Sequence, residues 1–445
     1  MPNPALAQRR DAGKRGNLLI RNGTVLTVTN GTLENTDVLV RDGKIAAIGK
    51  GLSAPSGAET IDAGGMFVMP GIIDAHSHIA ISDVNEWTNP VTAEVWTGDV
   101  LDPYDIALYR ALAGGVTTSH VMHGSANVIG GQCETIKHRY GTTDPEGLVM
   151  EGAPRTIKFA LGENPTRVHG RGFGVHPNTR MGVEDVFRRA FTEARRYMQA
   201  KDRYEKEKKS NPRATGPEYN LRMETLAAIL RGEIIIHCHS YRADEILMLM
   251  RVLHDFGVKR ITFQHVNEGF KVAPELAQFG AMASVFSDWW AYKFEVYYST
   301  AYNATILTRN GVVTSINSDS PELDRHLYHE AAKTMKYGGL SRDEALKLVT
   351  INPARQLGID DRVGSLEVGK EADIAIFNAH PLSIYAICQK TIVDGVIRFD
   401  RDKDPDDMRM NIDLMRPVDA SRVWKGDVDE CMRGTQAFHQ LIMGE

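Results

Sequence analysis

Hydrophobic and polar positions divide this chain into distinct textures. A polar stretch, residues 1–16, reads as a flexible N-terminal arm. Residues 17–62 then carry short runs of Leu, Val and Ile broken at Asn22-Gly23, Asn30-Gly31 and Asp42-Gly43. Such pairs tolerate the positive φ that tight hairpin turns require, so the segment predicts a small antiparallel β module. From Val68 onward, buried apolar runs alternate with amphipathic helical spacing. The runs predict strands at 68–76, 116–122, 132–138, 155–161, 234–239, 260–265, 281–286 and 312–318, with helices between several of them, as at 103–113 and 243–255.

Eight strands alternating with helices predict an α/β fold, a TIM-like (β/α)8 barrel. The longest interruption lies between the fourth and fifth strands. Val183, Val186, Phe187, Ala190 and Tyr197 follow helical spacing there, and the charged run 203–220, with Pro212 and Pro217, reads as a solvated helix end and surface loop. Helical runs at 326–337 and 341–350 follow the barrel. Residues 361–399 then return to short β runs with Gly punctuation. The domain plan is therefore an arm (1–16), the first part of a β-sandwich (17–66), the barrel (67–360), the second part of the sandwich (361–405) and a C-terminal extension (406–445). The sandwich is a small composite domain formed from both chain ends.

Composition changes this picture little. With 42% hydrophobic and 24% charged residues among 445, the chain is an ordinary globular one with a large core and no need of disulfide staples. Cys133, Cys238, Cys388 and Cys431 are widely spaced, without a Cys-x-x-Cys, and read as inert thiols. A net charge of −5 gives no reason to expect nucleic acid or an anionic membrane as partner. No run of 18 apolar residues predicts a membrane span. The first 17 residues lack the apolar centre of a signal peptide, whereas Ala5-Leu6-Ala7-Gln8 looks like the tail of a cleavage site; cytoplasm and export both stay open.

The candidate chemistry sits at strand ends. His76 and His78 are two apart on one strand, point to the same side and make half of a tetrahedral metal site. His237 and His265 end later strands, Asp319 follows the eighth, and Lys158 lies in a strand that is otherwise apolar. In a parallel barrel all strand C-termini open on one face, so these groups converge there. Each alone has a bland reading: a packed histidine, a turn-capping aspartate, a snorkelling lysine. Distributed over the first, fourth, fifth, sixth and eighth strands, they read as a metal-bearing set. Lys137 is a rival to Lys158. His123, His239, Arg242 and Glu268 lie just past strand ends as candidate substrate readers, Arg242 as a bidentate partner for a carboxylate. Trp289, Trp290 and Tyr292 are candidate pocket walls. The Gly-rich stretch 162–182 lacks a Gly-x-Gly-x-x-Gly after a strand, which argues against a dinucleotide and for a mobile loop over the site mouth.

With PGIIDAHSH, the strand-end residues and the tail NPARQLGIDDRVGSLEVGKEADIAIF followed by VDGV, the chain resembles the amidohydrolase superfamily across nearly all of 17–399. HGSANVIGGQ, IKFALGENPTR and IHCHSYRADEI are similar to the imidazolonepropionase-related branch, which includes metal-dependent prolidases and arginine-directed dipeptidases. The resemblance implies that His76, His78 and Asp319 hold one metal, that His237 and His265 hold a second, and that Lys158 bridges them as a carbamate. Zinc is the expected ion, two per chain, or one if Lys158 is not carboxylated. His239 then becomes a substrate contact or a support for a ligand. The implied activity is cleavage of an amide bond, first in a dipeptide or similar small N-acyl compound, with Asp319 as general base and then acid. The alternatives are an imidazolonepropionase-like cyclic amidohydrolase and a single-metal deaminase of a heterocycle. A homo-oligomer acting on a small molecule is expected.

Overall fold

Five strands open the chain in the computed structural model, which describes residues 15–290 and 292–403. They are β1 (Leu18–Leu26), β2 (Thr32–Arg41), β3 (Lys44–Gly49), β4 (Glu59–Asp62) and β5 (Phe67–Pro70). The barrel strands follow: β6 (Ile72–Ser77), β7 (Val116–Val121), β8 (Ile129–Lys137), β9 (Thr156–Ala160), β10 (Ile235–Ser240), β11 (Ile261–His265), β12 (Met282–Val285) and β13 (Thr314–Ile316). Three more, β14 (Ile374–Phe377), β15 (Cys388–Val393) and β16 (Val396–Asp400), complete the described chain. Nearly all of the expected arm, and the whole extension 406–445, lie outside the described residues.

β1–β5 and β14–β16 form one sheet in the order β16-β15-β14-β5-β1-β2-β3, with β4 beside β1. Ile20, Val38, Ile45, Ile61, Ile376 and Ile397, from six of these strands, share one core, so the sheet wraps around it. The two chain ends thus build one domain, as their turn-rich texture suggested.

The long run expected as a single strand at 68–76 is two strands in two sheets. Pro70 has no N–H to continue a ladder, and Gly71 turns the chain between domains. A Cβ on Gly71 would lie 2.1 Å from the Thr117 hydroxyl oxygen, and its N–H donates to the Asp373 carbonyl at 2.8 Å. Only glycine permits that approach.

β6 to β13 form the second sheet in chain order, a nearly closed barrel wrapped by helices. The seam between β6 and β13 is tied by the Asp319 N–H to the His76 carbonyl at 3.1 Å and by the Ser318 N–H to Asp74 Oδ1 at 3.2 Å. The Ser318 hydroxyl also donates to the Asp74 carboxylate. One strand departs from the expected parallel set: β8 runs antiparallel to both β7 and β9. Residues 122–128 are too few for the crossover that a parallel neighbour needs, so the chain doubles back. That reversal puts Lys137 at the opposite end of the barrel from the strand ends that carry the histidines. There it meets Asp394 (2.6 Å), Asp373 (3.1 Å) and Glu371 (2.5 Å), fully buried, and it is no candidate for a bridging group.

The stretch 162–182 is also more ordered than a loop. Glu163–Thr166 is helical, Arg167–Gly172 continues as a wide turn, and the helix Arg180–Glu207 begins at a Thr179 cap. The buried face of that helix, including Val183, Phe187 and Phe191, packs into the main core. Among the described residues no helix is long and apolar enough to cross a membrane.

Candidate metal centre and active site

His76 lies near the end of β6 and His78 just past it, their rings edge to face with centroids 5.2 Å apart. Asp319, beyond β13, reaches both: its Oδ1 is 3.4 Å from His76 Nε2 and 3.2 Å from His78 Nε2. His265 Nε2 stands 3.9 Å from Asp319 Oδ2. His76, His265 and Asp319 form the tightest group, with one donor atom from each within 4.8 Å of the others.

The hydrogen bonds orient the rings of this nest. His78 Nδ1 faces the Met122 carbonyl at 2.8 Å, an acceptor only, so Nδ1 carries the proton and Nε2 offers a lone pair. His76 Nδ1 likewise faces Gln264 Oε1 at 3.1 Å. Nε2 of each ring thus faces the Asp319 carboxylate, and His76 Nε2 also faces Lys158 Nζ at 3.0 Å. A proton on His76 is disfavoured: burial pushes its pKa well below the usual imidazole range, and Lys158 beside it adds to the effect. Both ring nitrogens of His265 and Nε2 of His239 are buried without a hydrogen-bond partner. This donor set, imidazole nitrogens with one carboxylate, fits a divalent metal such as zinc. Asp319 suits it as well. Burial pushes its pKa up, but the contact with His78 and the charges of His265 and Lys158 outweigh that and hold it below the ordinary carboxylate range.

His265 is clamped from both faces. Tyr241 stacks on one side with centroids 5.4 Å apart and Phe286 on the other at 4.6 Å. Trp289 continues the stack, 4.2 Å from Phe286. A small cavity opens beside His265, walled by Asn267, Phe286, Trp289, Trp290 and Thr300. Tyr292 donates its hydroxyl to that of Tyr241 at 3.0 Å.

Lys158 is buried in the middle of β9, its Nζ 3.0 Å from His76 Nε2. The register pairs it with His237 on β10. The two β10 histidines part company here. His237 is deeper: its Nδ1 meets Gln264 Nε2 at 2.9 Å and its ring lies 4.3 Å from that of His120. His239 instead packs edge-on against His265, centroids 4.6 Å apart, and so joins the cluster. His237 Nε2, like His239 Nε2, is buried without a hydrogen-bond partner, so each β10 histidine keeps one nitrogen for a cation.

Three expected substrate readers are occupied. His123 accepts the Glu86 N–H at Nε2 (2.9 Å), and its Nδ1 faces the Gly124 carbonyl (3.0 Å), so its ring fastens the loop beyond β6. Arg242 lays its guanidinium on Asp244 at 3.0 and 2.9 Å and is 42% exposed. Glu268 accepts the Ala243 N–H (3.0 Å) at the start of a helix and pairs with Lys271.

Sequence reasoning passed over other members of the site. Asp74, in the same PGIIDAHSH run, accepts the N–H of His76 (3.1 Å) and binds Ser318, tying the first ligand strand to the last. Gln264 bridges His76 and His237. Lys293, 4% exposed, stands 4.2 Å over the Tyr241 ring and contacts Glu163 and Asn164. For the first two a signal existed: a polar residue inside an otherwise apolar strand, one or two positions from a ligand candidate.

The profile of the Amidohydrolase family matches residues 233–399. The amidohydrolase tasK of Hapsidospora irregularis is 33% identical over 393 residues; the match takes in 82% of this chain, which spans 40% of that relative's length. A 5-methylthioadenosine/S-adenosylhomocysteine deaminase of Symbiobacterium thermophilum is 24% identical over 406 residues, covering 81% of this chain and 85% of the deaminase. The crystal structure of an amidohydrolase from Thermotoga maritima MSB8 superposes with a TM-score of 0.80 at 36% identity, covering 86% of this chain and all of that one. On that match, the chain belongs to the amidohydrolase family.

Proposed function

We propose that this protein is a metal-dependent hydrolase that cleaves the C–N bond of a dipeptide or a similar small N-acyl compound. The observation that carries the reading is the convergence of two imidazole nitrogens, His76 Nε2 and His78 Nε2, on the Asp319 carboxylate at 3.4 and 3.2 Å. His76, His78 and Asp319 would hold one metal and His237 and His265 a second, with Lys158 beside both sets; the unpartnered buried Nε2 atoms of His237 and His265 support this. Lys158 is suited to carboxylation: a buried lysine favours the neutral amine, which adds CO2 at Nζ with loss of one proton. A divalent cation bound here polarises a carbonyl and lowers the pKa of a water toward neutrality.

The protein's own groups do the rest. Asp319, ionised at neutral pH, accepts a proton from the attacking water and returns it to the departing nitrogen. Tyr241 and Phe286 fix the His265 ring, and the Trp289 side of the cavity shelters an apolar part of the substrate from water. Lys293, paired with Glu163 at 3.4 Å and Glu295 at 3.6 Å, backs the Tyr241 ring that packs against His265.

The test is metal analysis of purified protein, followed by a dipeptide library assayed for released amino acid. Two metals per chain and amino-acid release support the reading; absence of bound metal overturns it. A second reading, deamination of a heterocycle on one metal, is favoured by the compactness of the His76, His265 and Asp319 group and by the deaminase relative. It predicts one metal per chain and release of ammonia from an aminated heterocycle.

A further inference from the structure

We infer that a row of outward aromatic side chains beside the barrel mouth, Phe294, Tyr297, Tyr298 and Tyr302, is the face on which this chain pairs with a second copy of itself about a two-fold axis.

Local structure holds these rings outside. Phe294–Val296 is a short helical turn in which Glu295 and Val296 take the inward positions. Glu295 accepts the Glu163 N–H at 3.1 Å and pairs with Arg180 at 2.7 Å. Phe294 is left 88% exposed and Tyr297 70%, their ring centroids 6.0 Å apart. Tyr298, 60% exposed, stands edge-on to Tyr297 at 5.2 Å, and Tyr302 is 54% exposed. The Arg180–Glu295 pair brings the neighbouring Met181, 80% exposed, to the edge of the row. The base beneath is pinned. Asn267 Nδ2 donates to the Ser299 hydroxyl at 2.7 Å and to the Trp289 carbonyl at 3.2 Å, and Asn303 Nδ2 donates to the Val266 carbonyl at 2.9 Å. Little ordering of this segment is therefore left to be lost on association.

Area, ring chemistry and charge select the occupant. At roughly 150–250 Å² per aromatic side chain, the four rings leave roughly 500 Å² bare. Contiguous apolar patches beyond a few hundred Å² mark interaction surfaces. With Met181 added, the face approaches the roughly 800 Å² per partner that a standard interface buries. Aromatic rings are negative on the face and positive at the edge, so a row of them is complementary to its own copy. A two-fold axis lets each row offer edges to the faces of the other. The charges set around the row are paired within the chain: Arg180 with Glu245 at 2.6 Å, Lys271 with Glu268 at 2.8 Å and Lys293 with Glu163 at 3.4 Å. Such a rim does not repel its own copy, and it lacks the cationic surplus that draws a protein to an anionic membrane.

Sedimentation velocity of the purified full chain over about 0.1–100 μM reads the association, since interfaces of this size bind at micromolar strength or better. The wild type should sediment as a dimer or a multiple of one. Phe294→Lys with Tyr297→Lys, and Phe294→Glu with Tyr297→Glu, each set like charges against each other across the axis and should weaken association by about 100-fold or more. Both side chains point outward, so circular dichroism should match the wild type. An equimolar mixture of the two double variants should regain the dimer, because opposite charges then meet. If a charged variant fails to fold, Phe294→Ser, which removes one ring and adds no charge, should still weaken association by about 10-fold. A wild type that stays monomeric at the highest concentration overturns the inference, whether the row is bare or covered by residues 404–445. An oligomer that every variant leaves intact overturns it too, as does a mixture that stays monomeric. Flotation of the wild type with phosphatidylserine vesicles, lost in the Glu variant, would assign the row to a membrane instead.

Discussion

Lys137→Met should cost stability without touching the site. Lys137 is fully buried at the end of β8, within 3.1 Å of carboxylate oxygens of Asp373, Asp394 and Glu371, at the junction of the barrel with the β-sheet domain. Removing one partner of a buried ion pair costs about 3–5 kcal/mol, because the charge left behind is neither solvated nor paired. Two of the three carboxylates keep another cation: Arg139 holds Asp394 at 2.7 Å and Arg362 holds Glu371 at 2.7 Å. Asp373 is the one exposed to the loss, and burial already pushes its pKa up despite Lys137. The lower end, about 3 kcal/mol, is therefore expected. With a urea slope of about 3 kcal/mol/M, the unfolding midpoint falls by about 1 M. Metal content per folded chain should stay at the wild-type level, since the substitution lies at the far end of the barrel. Adding Asp373→Asn to Lys137→Met should recover much of the loss, as it removes the stranded charge. A midpoint shift worth less than about 1 kcal/mol, the range of a surface pair, would refute the assignment of Lys137 to a buried network.

Four further outcomes follow from the same geometry. Asp319→Asn should lower kcat/KM by about 10²–10⁴-fold, the usual range for a lost acid–base group, measured on the best library substrate. Lys158→Met should reduce the metal count from two to one per chain by mass spectrometry, whereas a count unchanged at two would exclude Lys158 as a bridge. Stripping metal with a chelator should lower Tm, since a ligand at about 1,000 times its Kd stabilises the folded state by about 4 kcal/mol; scanning calorimetry with and without added zinc checks it. Asp394 has its pKa held down to about 2 from 3.8: burial opposes the shift, but Lys137 and Arg139 outweigh it. Its contribution is thus complete above pH 3.8 and lost as pH falls toward 2. Asp394→Asn should flatten the acid limb of the stability profile in that window.

How much of this was legible beforehand depends on what periodicity can carry. Apolar runs located all eight barrel strands, because burial on both faces leaves a plain signature. They said nothing of strand direction. β8 reverses, and only the seven residues between Val121 and Ile129 hinted at it. The junction at Gly71 was invisible for a related reason: Phe67–Pro70 and Ile72–Ser77 are equally apolar, so a change of sheet leaves the pattern unbroken. Of the chemical groups, His76, His78, Lys158, His265 and Asp319 are brought together as the spacing suggested. His237 and His239 share one side of a strand, and spacing cannot tell depth from mouth. His123, Arg242 and Glu268 sit past strand ends, where capping and turn roles compete with substrate contact, and their observed partners are local ones.

Gln264 and His265 also show how this barrel brings consecutive residues to one site. Strand alternation should send neighbours to opposite faces, yet Gln264 reaches His76 and His237 while His265 reaches Asp319. The strand ends in left-handed backbone, with φ of +69° at His265 and +51° at Val266. Such a conformation costs of order 1–3 kcal/mol per residue and persists only where surroundings over-determine it. Here the Val266 N–H donates to the Ser240 carbonyl at 2.9 Å, and Val266 itself packs in the core. Asp319 repeats the device at +49°, anchored by its N–H on the His76 carbonyl. Two of the three residues in the tightest ligand group therefore stand on strained backbone that the neighbouring strand holds in place. The strain re-aims each side chain into the mouth, so the fold positions the ligands before any cation arrives, and a cation meets a nest whose conformational entropy has already been lost in folding.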